Sequence, residues 1–173
     1  MTSSLVGSEM CIRDRQYRGG LLISEGLDAE TFRNRFRPFY QRLIDVAKEF
    51  GLPVELHMCG CCEKIIPDFV EMGVNIWQPA QVMNDLKGIK ARYGNRLVLN
   101  GGWDSQGKAG MPGASEEVVR QSARTAIDNF AAGGGYVFWD LSPVGNSDDM
   151  LRKIAWVEDE ARKYGRQYYR RKD

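Results

Sequence analysis

The sequence is poor in the side chains that build most metal and nucleophile sites. It has one histidine, His57, and four cysteines in 173 residues. Three of the four lie in the tetrapeptide Cys59-Gly60-Cys61-Cys62, too close together for a disulfide framework, so intracellular thiol or metal chemistry fits better. Charge of one sign is also lacking. With 24 Lys+Arg against 23 Asp+Glu the net charge is +1, which leaves no electrostatic case for nucleic acid or an anionic membrane as partner. No apolar run approaches the roughly 20 residues of a membrane span, and the N-terminus lacks the apolar core of a signal peptide. The expectation from these absences is a soluble, cytoplasmic protein. The length fits one domain, and 43% hydrophobic residues suffice for a sizeable core.

Residues 1–16, MTSSLVGSEMCIRDRQ, have neither helical nor strand period. SLVGSEMCIRDR resembles a translated sequencing adaptor of the kind left at the ends of assembled gene fragments. The expectation is a disordered, artefactual segment 1–16 that packs on nothing, a Cys11 without function, and a domain over 17–173 that is part of a longer protein.

From Asp28 onward, helical and strand signals alternate. Asp28 predicts an N-cap for a helix to Phe50, with Phe32, Phe36, Tyr40, Leu43, Ala47 and Phe50 on its apolar face and Pro38 bending it. Val54–Met58 reads as a strand. A helix over Glu63–Met72 follows, regular from Ile66 because of Pro67, and stopped by Gly73. Val74–Gln78 is a strand ended by Pro79, Asn84 caps a helix to Tyr93, and Leu97–Asn100 is the next strand. Ser115 caps a helix carrying Val119, Ala123, Ala126, Ile127 and Phe130, and Gly133-Gly134-Gly135 leads into the strand Tyr136–Trp139. Ser147 caps a last helix with Leu151, Ile154, Val157, Ala161 and Tyr164 on one side. A helix followed by four strand–helix units with short apolar strands predicts an α/β fold with a parallel sheet in sequence order.

The chemistry concentrates on the first of those strands. Val54, Leu56 and Met58 alternate with Glu55, His57 and Cys59. Alternate residues share a face, so His57 and Cys59 point together from the strand's end, about 7 Å apart along the chain. An imidazole and a thiolate so placed make two ligands of a zinc site. The other strand ends carry Trp77/Gln78, Asn100/Trp103/Asp104 and Trp139/Asp140, and the three tryptophans would line a pocket for a flat ligand or cap the core.

His57-Met58-Cys59-Gly60, then Gly73-Val74-Asn75-Ile76-Trp77-Gln78-Pro79, then the segment from Arg96 to Asp104, then the glycine run into Phe138, resemble in order the C-terminal half of the uroporphyrinogen decarboxylase superfamily. The resemblance runs from about Gly20 to about Tyr164. It implies a (β/α)8 TIM barrel of which this chain supplies strands five to eight, with the N-terminal half of the barrel missing. Four strands cannot close a barrel, so an apolar edge would be exposed. The superfamily includes zinc-dependent methyltransferases that move methyl groups from corrinoid proteins to thiols, and in that branch H-x-C-G supplies two zinc ligands. The resemblance therefore implies a methyltransferase: His57 and Cys59 catalytic and metal-binding, zinc as cofactor, a corrinoid on a partner protein as methyl donor and a small-molecule thiol as acceptor. Trp77, Gln78, Asn100, Trp103, Asp104 and Trp139 would contact substrate. The branch's third ligand, a cysteine near the end of the last strand, has no counterpart in Trp139-Asp140-Leu141-Ser142. Asp140 is the expected replacement, with Cys61 or Cys62 as the alternative.

Two further readings stand beside it. The decarboxylase of haem synthesis needs no metal, but its Gly-His-Gly motif after the last strand corresponds here to Ser142-Pro143-Val144-Gly145. The other is a truncated, non-catalytic piece.

Overall fold

The computed structural model describes residues 28–139 and 147–170, together with the backbone of 17–22. The expected disorder of 1–16, Asp140 and the Ser142–Gly145 stretch lie outside the described residues.

Five strands form one parallel sheet in sequence order: β1 (Tyr17–Leu22), β2 (Val54–Cys59), β3 (Ile76–Ala80), β4 (Val98–Gly102) and β5 (Tyr136–Trp139). Between and after them run α1, which begins with Ala29–Thr31 and is regular over Arg37–Glu49, α2 (Ile66–Met72), α3 (Leu86–Tyr93), α4 (Glu116–Phe130) and α5 (Asp148–Arg170). The architecture is α/β, an open part of a (β/α)8 barrel. The sheet has one strand more than the four expected. β1 escaped notice because Gly19 and Gly20 interrupt its apolar pattern, and glycine weakens any strand signal.

Local chemistry accounts for most boundaries. Asp28 caps α1, its Oδ1 accepting from Thr31 N at 2.8 Å and its Oδ2 from Thr31 Oγ1 at 2.9 Å. A π-helical turn, Phe32–Phe36, then precedes Pro38 at the start of the regular helix. A prolyl nitrogen has no N–H for the carbonyl four residues back, and the wider turn accommodates the gap. That turn shifts the apolar phase, so Ile44 takes the core position expected of Leu43, and Leu43 and Phe50 are exposed. Pro67 starts α2, and Gly73 ends it at φ 90°. Pro79 does not end β3, which continues to Ala80. It falls where the β3–β4 register shifts, the position in a sheet that tolerates a missing N–H.

Side-chain alternation gives the sheet two unlike faces. Val54, Leu56, Met58, Trp77 and Leu99 meet Phe32, Ile44, Phe69, Met72 and Ile89 in the main core under the helices. Phe69 is wholly buried, with its ring 6.2 Å from Phe32 and 6.4 Å from Trp77. The opposite face carries Glu55, His57, Cys59, Gln78 and Asn100. A smaller cluster of Trp103, Ala109, Val119 and Val157 ties α5 to the sheet's end. No helix among the described residues is long and apolar enough to cross a membrane.

Ion pairs pin the helices to each other. Buried Asp68 on α2 meets Arg33 at 2.9 Å and Arg37 at 2.6 Å. On α5 the buried positions are Lys153, Val157 and Glu160, while Leu151, expected on the apolar side, is exposed. This face is partly polar because it meets the arginines of α4: Arg124 Nε lies 2.6 Å from Glu160, and Arg120 bridges Glu116, Asp159 and Glu160. The Arg124 hydrogen bond, with Arg120 beside it, holds the Glu160 carboxyl below the usual carboxylate range.

A lowered folded-state value means that the unfolded chain binds the proton more tightly. The stabilisation by Glu160 is therefore present above the ordinary glutamate value, about 4.3, and is lost as pH falls through the lowered folded value. Urea denaturation followed by tryptophan fluorescence should show stability falling below about pH 4.3. Arg124→Met should flatten that dependence; an unchanged acid profile in the variant would count against the pair.

Candidate metal and ligand site

The parallel register sets His57 of β2 beside Gln78 of β3. Gln78 Oε1, an acceptor, lies 2.6 Å from His57 Nδ1. On the imidazole's other side, Nε2 lies 3.5 Å from Cys59 Sγ. The strand period brought these two residues to one face, and the side chains close the remaining distance. Both are half-buried, and burial pushes the Cys59 thiol above its ordinary range. Among the described residues no group of three His, Cys, Asp or Glu side chains is placed to hold a metal.

The turn after β2 is held by two residues that sequence reasoning did not assign to the site. Gly60 N donates to Gln81 Oε1 at 2.6 Å. Asn84, expected as a helix cap, is buried instead. Its Oδ1 accepts from Cys62 N at 2.7 Å, and its Nδ2 donates to the carbonyls of Gly60 and Gln81, each at 3.0 Å. Asp85 takes over the cap, accepting from Gly88 N at 2.9 Å. Nothing in the local sequence separated the two residues, since either side chain caps well. Only the position of the β2 turn selects Asn84 for bracing it.

A cavity of about 160 Å³ opens beside this brace at the C-terminal ends of β3, β4 and β5. Gln81, Trp103, Asp104 and Trp139 line it, with Gly101 at its wall. A Cβ on Gly101 would lie 2.7 Å from Ala80 N, so only glycine lets the two strands approach there. Trp103 donates its indole N–H to Ser122 Oγ at 2.8 Å, and Asp104 Oδ1 accepts from Gln106 N at 3.1 Å. Asn100, on the same sheet face as His57, buries its Oδ1 with no hydrogen-bond donor among the described residues.

Some expected contacts lie elsewhere. Trp77 pairs with Leu56 in register and shares its face, so it is a core residue of the helix side, donating to Met58 O at 3.0 Å. The parity that placed His57 opposite to Leu56 would have shown this. Cys62 is also turned inward. Its Sγ donates to Met58 O and Cys59 O, and burial first, then the neighbouring cysteines, pushes its thiol up to about 12. That environment removes it as a ready third ligand. Cys61 is exposed on the turn.

The model of the uroporphyrinogen decarboxylase (URO-D) family matches residues 22–139. The chain belongs to that family. Among solved structures, a methyltransferase from Methanosarcina mazei is similar over 90% of this chain, with a TM-score of 0.59 and 16% identity. The chain spans 46% of that methyltransferase's length. No curated protein matches. At this identity the likeness establishes the fold alone. In the URO-D frame the site lies at strand C-terminal ends, where barrels of this kind gather reactive groups.

Alkylation at about pH 8, read by peptide mass spectrometry, should modify Cys61 first, Cys59 more slowly and Cys62 only on unfolding. Equal rates would contradict the burial order. Asn84→Ala should cost about 1–3 kcal/mol by leaving Cys62 N and Gly60 O without partners, measured by denaturant titration, and should speed Cys62 labelling.

Proposed function

We propose that this URO-D domain is a zinc-dependent methyltransferase, transferring a methyl group from a corrinoid to a thiol. The observation that carries the reading is the 3.5 Å separation of His57 Nε2 and Cys59 Sγ. Zinc bonds of about 2.05 Å to nitrogen and 2.3 Å to sulfur, at a tetrahedral angle, place the two donors about 3.5 Å apart. One borderline nitrogen and one soft sulfur are also the donors that zinc prefers. His57 and Cys59 would hold the ion. Asp140, on the stretch after β5, is the proposed third ligand, and exposed Cys61 the alternative.

Zinc bound there supplies a Lewis acid that lowers the pKa of an incoming thiol, giving a nucleophile at neutral pH. The protein's own part is positional. Gln81 and Asn84 hold the turn that presents Cys59. Trp103 and Trp139 give the cavity apolar walls that exclude water from a bulky methyl donor, and Asp104 adds a polar edge. Asn100 Oδ1 offers an acceptor to a donor group on the substrate. The corrinoid would arrive on a separate protein at the barrel mouth, and a complete site would also draw on a further half of a barrel. Cytoplasmic location fits free cysteines at the centre of the site.

The second reading, decarboxylation of uroporphyrinogen, is favoured by the family description itself. It would use the same strand ends without a metal.

Purified protein should carry zinc in stoichiometric amount by elemental analysis, and Cys59→Ser and His57→Ala should lose it. Asp140→Ala should weaken binding, whereas retained zinc in that variant and loss in Cys61→Ser would move the third ligand to the turn. Metal-free protein that releases carbon dioxide from uroporphyrinogen would replace the methyltransferase reading with the decarboxylase one.

A further inference from the structure

Gln78 is buried, with 5% of its surface accessible, and among the described residues its side chain meets the chain's only histidine. An amide oxygen accepts and cannot donate, so a 2.6 Å contact from Oε1 to Nδ1 requires the proton to sit on Nδ1. In a neutral imidazole the proton on one nitrogen leaves a lone pair on the other. That lone pair is on Nε2, the nitrogen facing Cys59 Sγ. Were the amide reversed, its NH2 group would face Nδ1, the proton would move to Nε2, and the nitrogen beside Cys59 would have no lone pair to give a metal.

We infer that Gln78 is a positioning residue, whose amide oxygen locks His57 in the Nδ1–H tautomer and so keeps Nε2 bare beside Cys59. The consequence for metal binding rests on the zinc reading above, but the tautomer itself does not. The lock is a property of the sheet. Gln78 is the register partner of His57 in β3, so the acceptor stands on the adjacent strand rather than on a mobile loop. Most histidine ligands of zinc are oriented by a carboxylate, a backbone carbonyl or water. A side-chain amide does the same orienting without adding negative charge behind the ring. The ligand set then stays less anionic than with a carboxylate there, which favours a metal acting as a Lewis acid.

Because the sequence contains one histidine, the state of its ring can be read without assignment ambiguity. Long-range nitrogen-15/proton correlation spectra would be recorded on the metal-free protein over a pH series, and the tautomer read from the spectrum of the neutral ring. The expected spectrum has Nδ1 protonated and Nε2 bare. Gln78→Met, close in volume and with only a weakly accepting sulfur in place of the amide oxygen, should shift the population toward the Nε2–H form. Gln121→Met, the same exchange at an exposed position of α4, should leave it unchanged. Zinc titration of the same proteins should show binding weakened about 10–100-fold in Gln78→Met. An Nε2–H ring in the unsubstituted protein overturns the inference, and that measurement needs no variant to fold. An Nδ1–H ring that persists in Gln78→Met, or shifts equally in Gln121→Met, also overturns it. The expected tautomers with no zinc bound by the unsubstituted protein would leave the positioning role standing and overturn the zinc reading alone.

Discussion

The pairing of β2 with β3 is the constraint on which the rest depends. A parallel ladder fixes which residues stand side by side, and a slip by one residue would exchange the faces of a whole strand. In the observed register Leu56 stands beside Trp77, and His57 beside Gln78. The first pair closes the core beneath the helices, and the second builds the polar face. Core and site are thus alternate outputs of one ladder, and the burial of Trp77 and Phe69 holds the imidazole's partner in place.

The loops complete what the ladder starts. The turn after β2 and the turn after β3 are joined through Gln81 and Asn84, by hydrogen bonds of 2.6–3.0 Å to backbone groups of Gly60 and Cys62. Such bonds add modest net stability when made, and removing one partner from a buried position costs more than that. They orient Cys59 and turn Cys62 inward, so adjacent cysteines of similar intrinsic chemistry have unlike fates. One faces the histidine, one faces solvent, and one is held as a thiol under the turn.

Much of the fold is legible in the sequence. Alternation of short apolar strands with amphipathic helices gave the parallel α/β architecture, and Asp28, Pro67, Gly73 and Ser115 marked helix ends where local chemistry acts alone. The failures share a cause. β1 carries two glycines and owes its pairing to β2. Pro79 looked like a stop, but the register shift beside it absorbs the missing donor. Leu43 gave way to Ile44 because Pro38 called for a wider turn upstream, and the phase of a helix depends on every residue before it.

Local geometry is enough to put His57 and Cys59 on one face at a strand end, because the two-residue period of a strand needs no distant partner. The recurrence of aromatic and polar residues at the following strand ends is likewise written in the chain order. Long-range packing is what brings His57 Nδ1 to Gln78, puts Trp77 in the core while Trp103 and Trp139 line the cavity, and gives Asn84 to the cysteine turn rather than to its own helix. Those outcomes depend on contacts between residues about twenty positions apart, brought together by strand register and by burial, which no local pattern encodes.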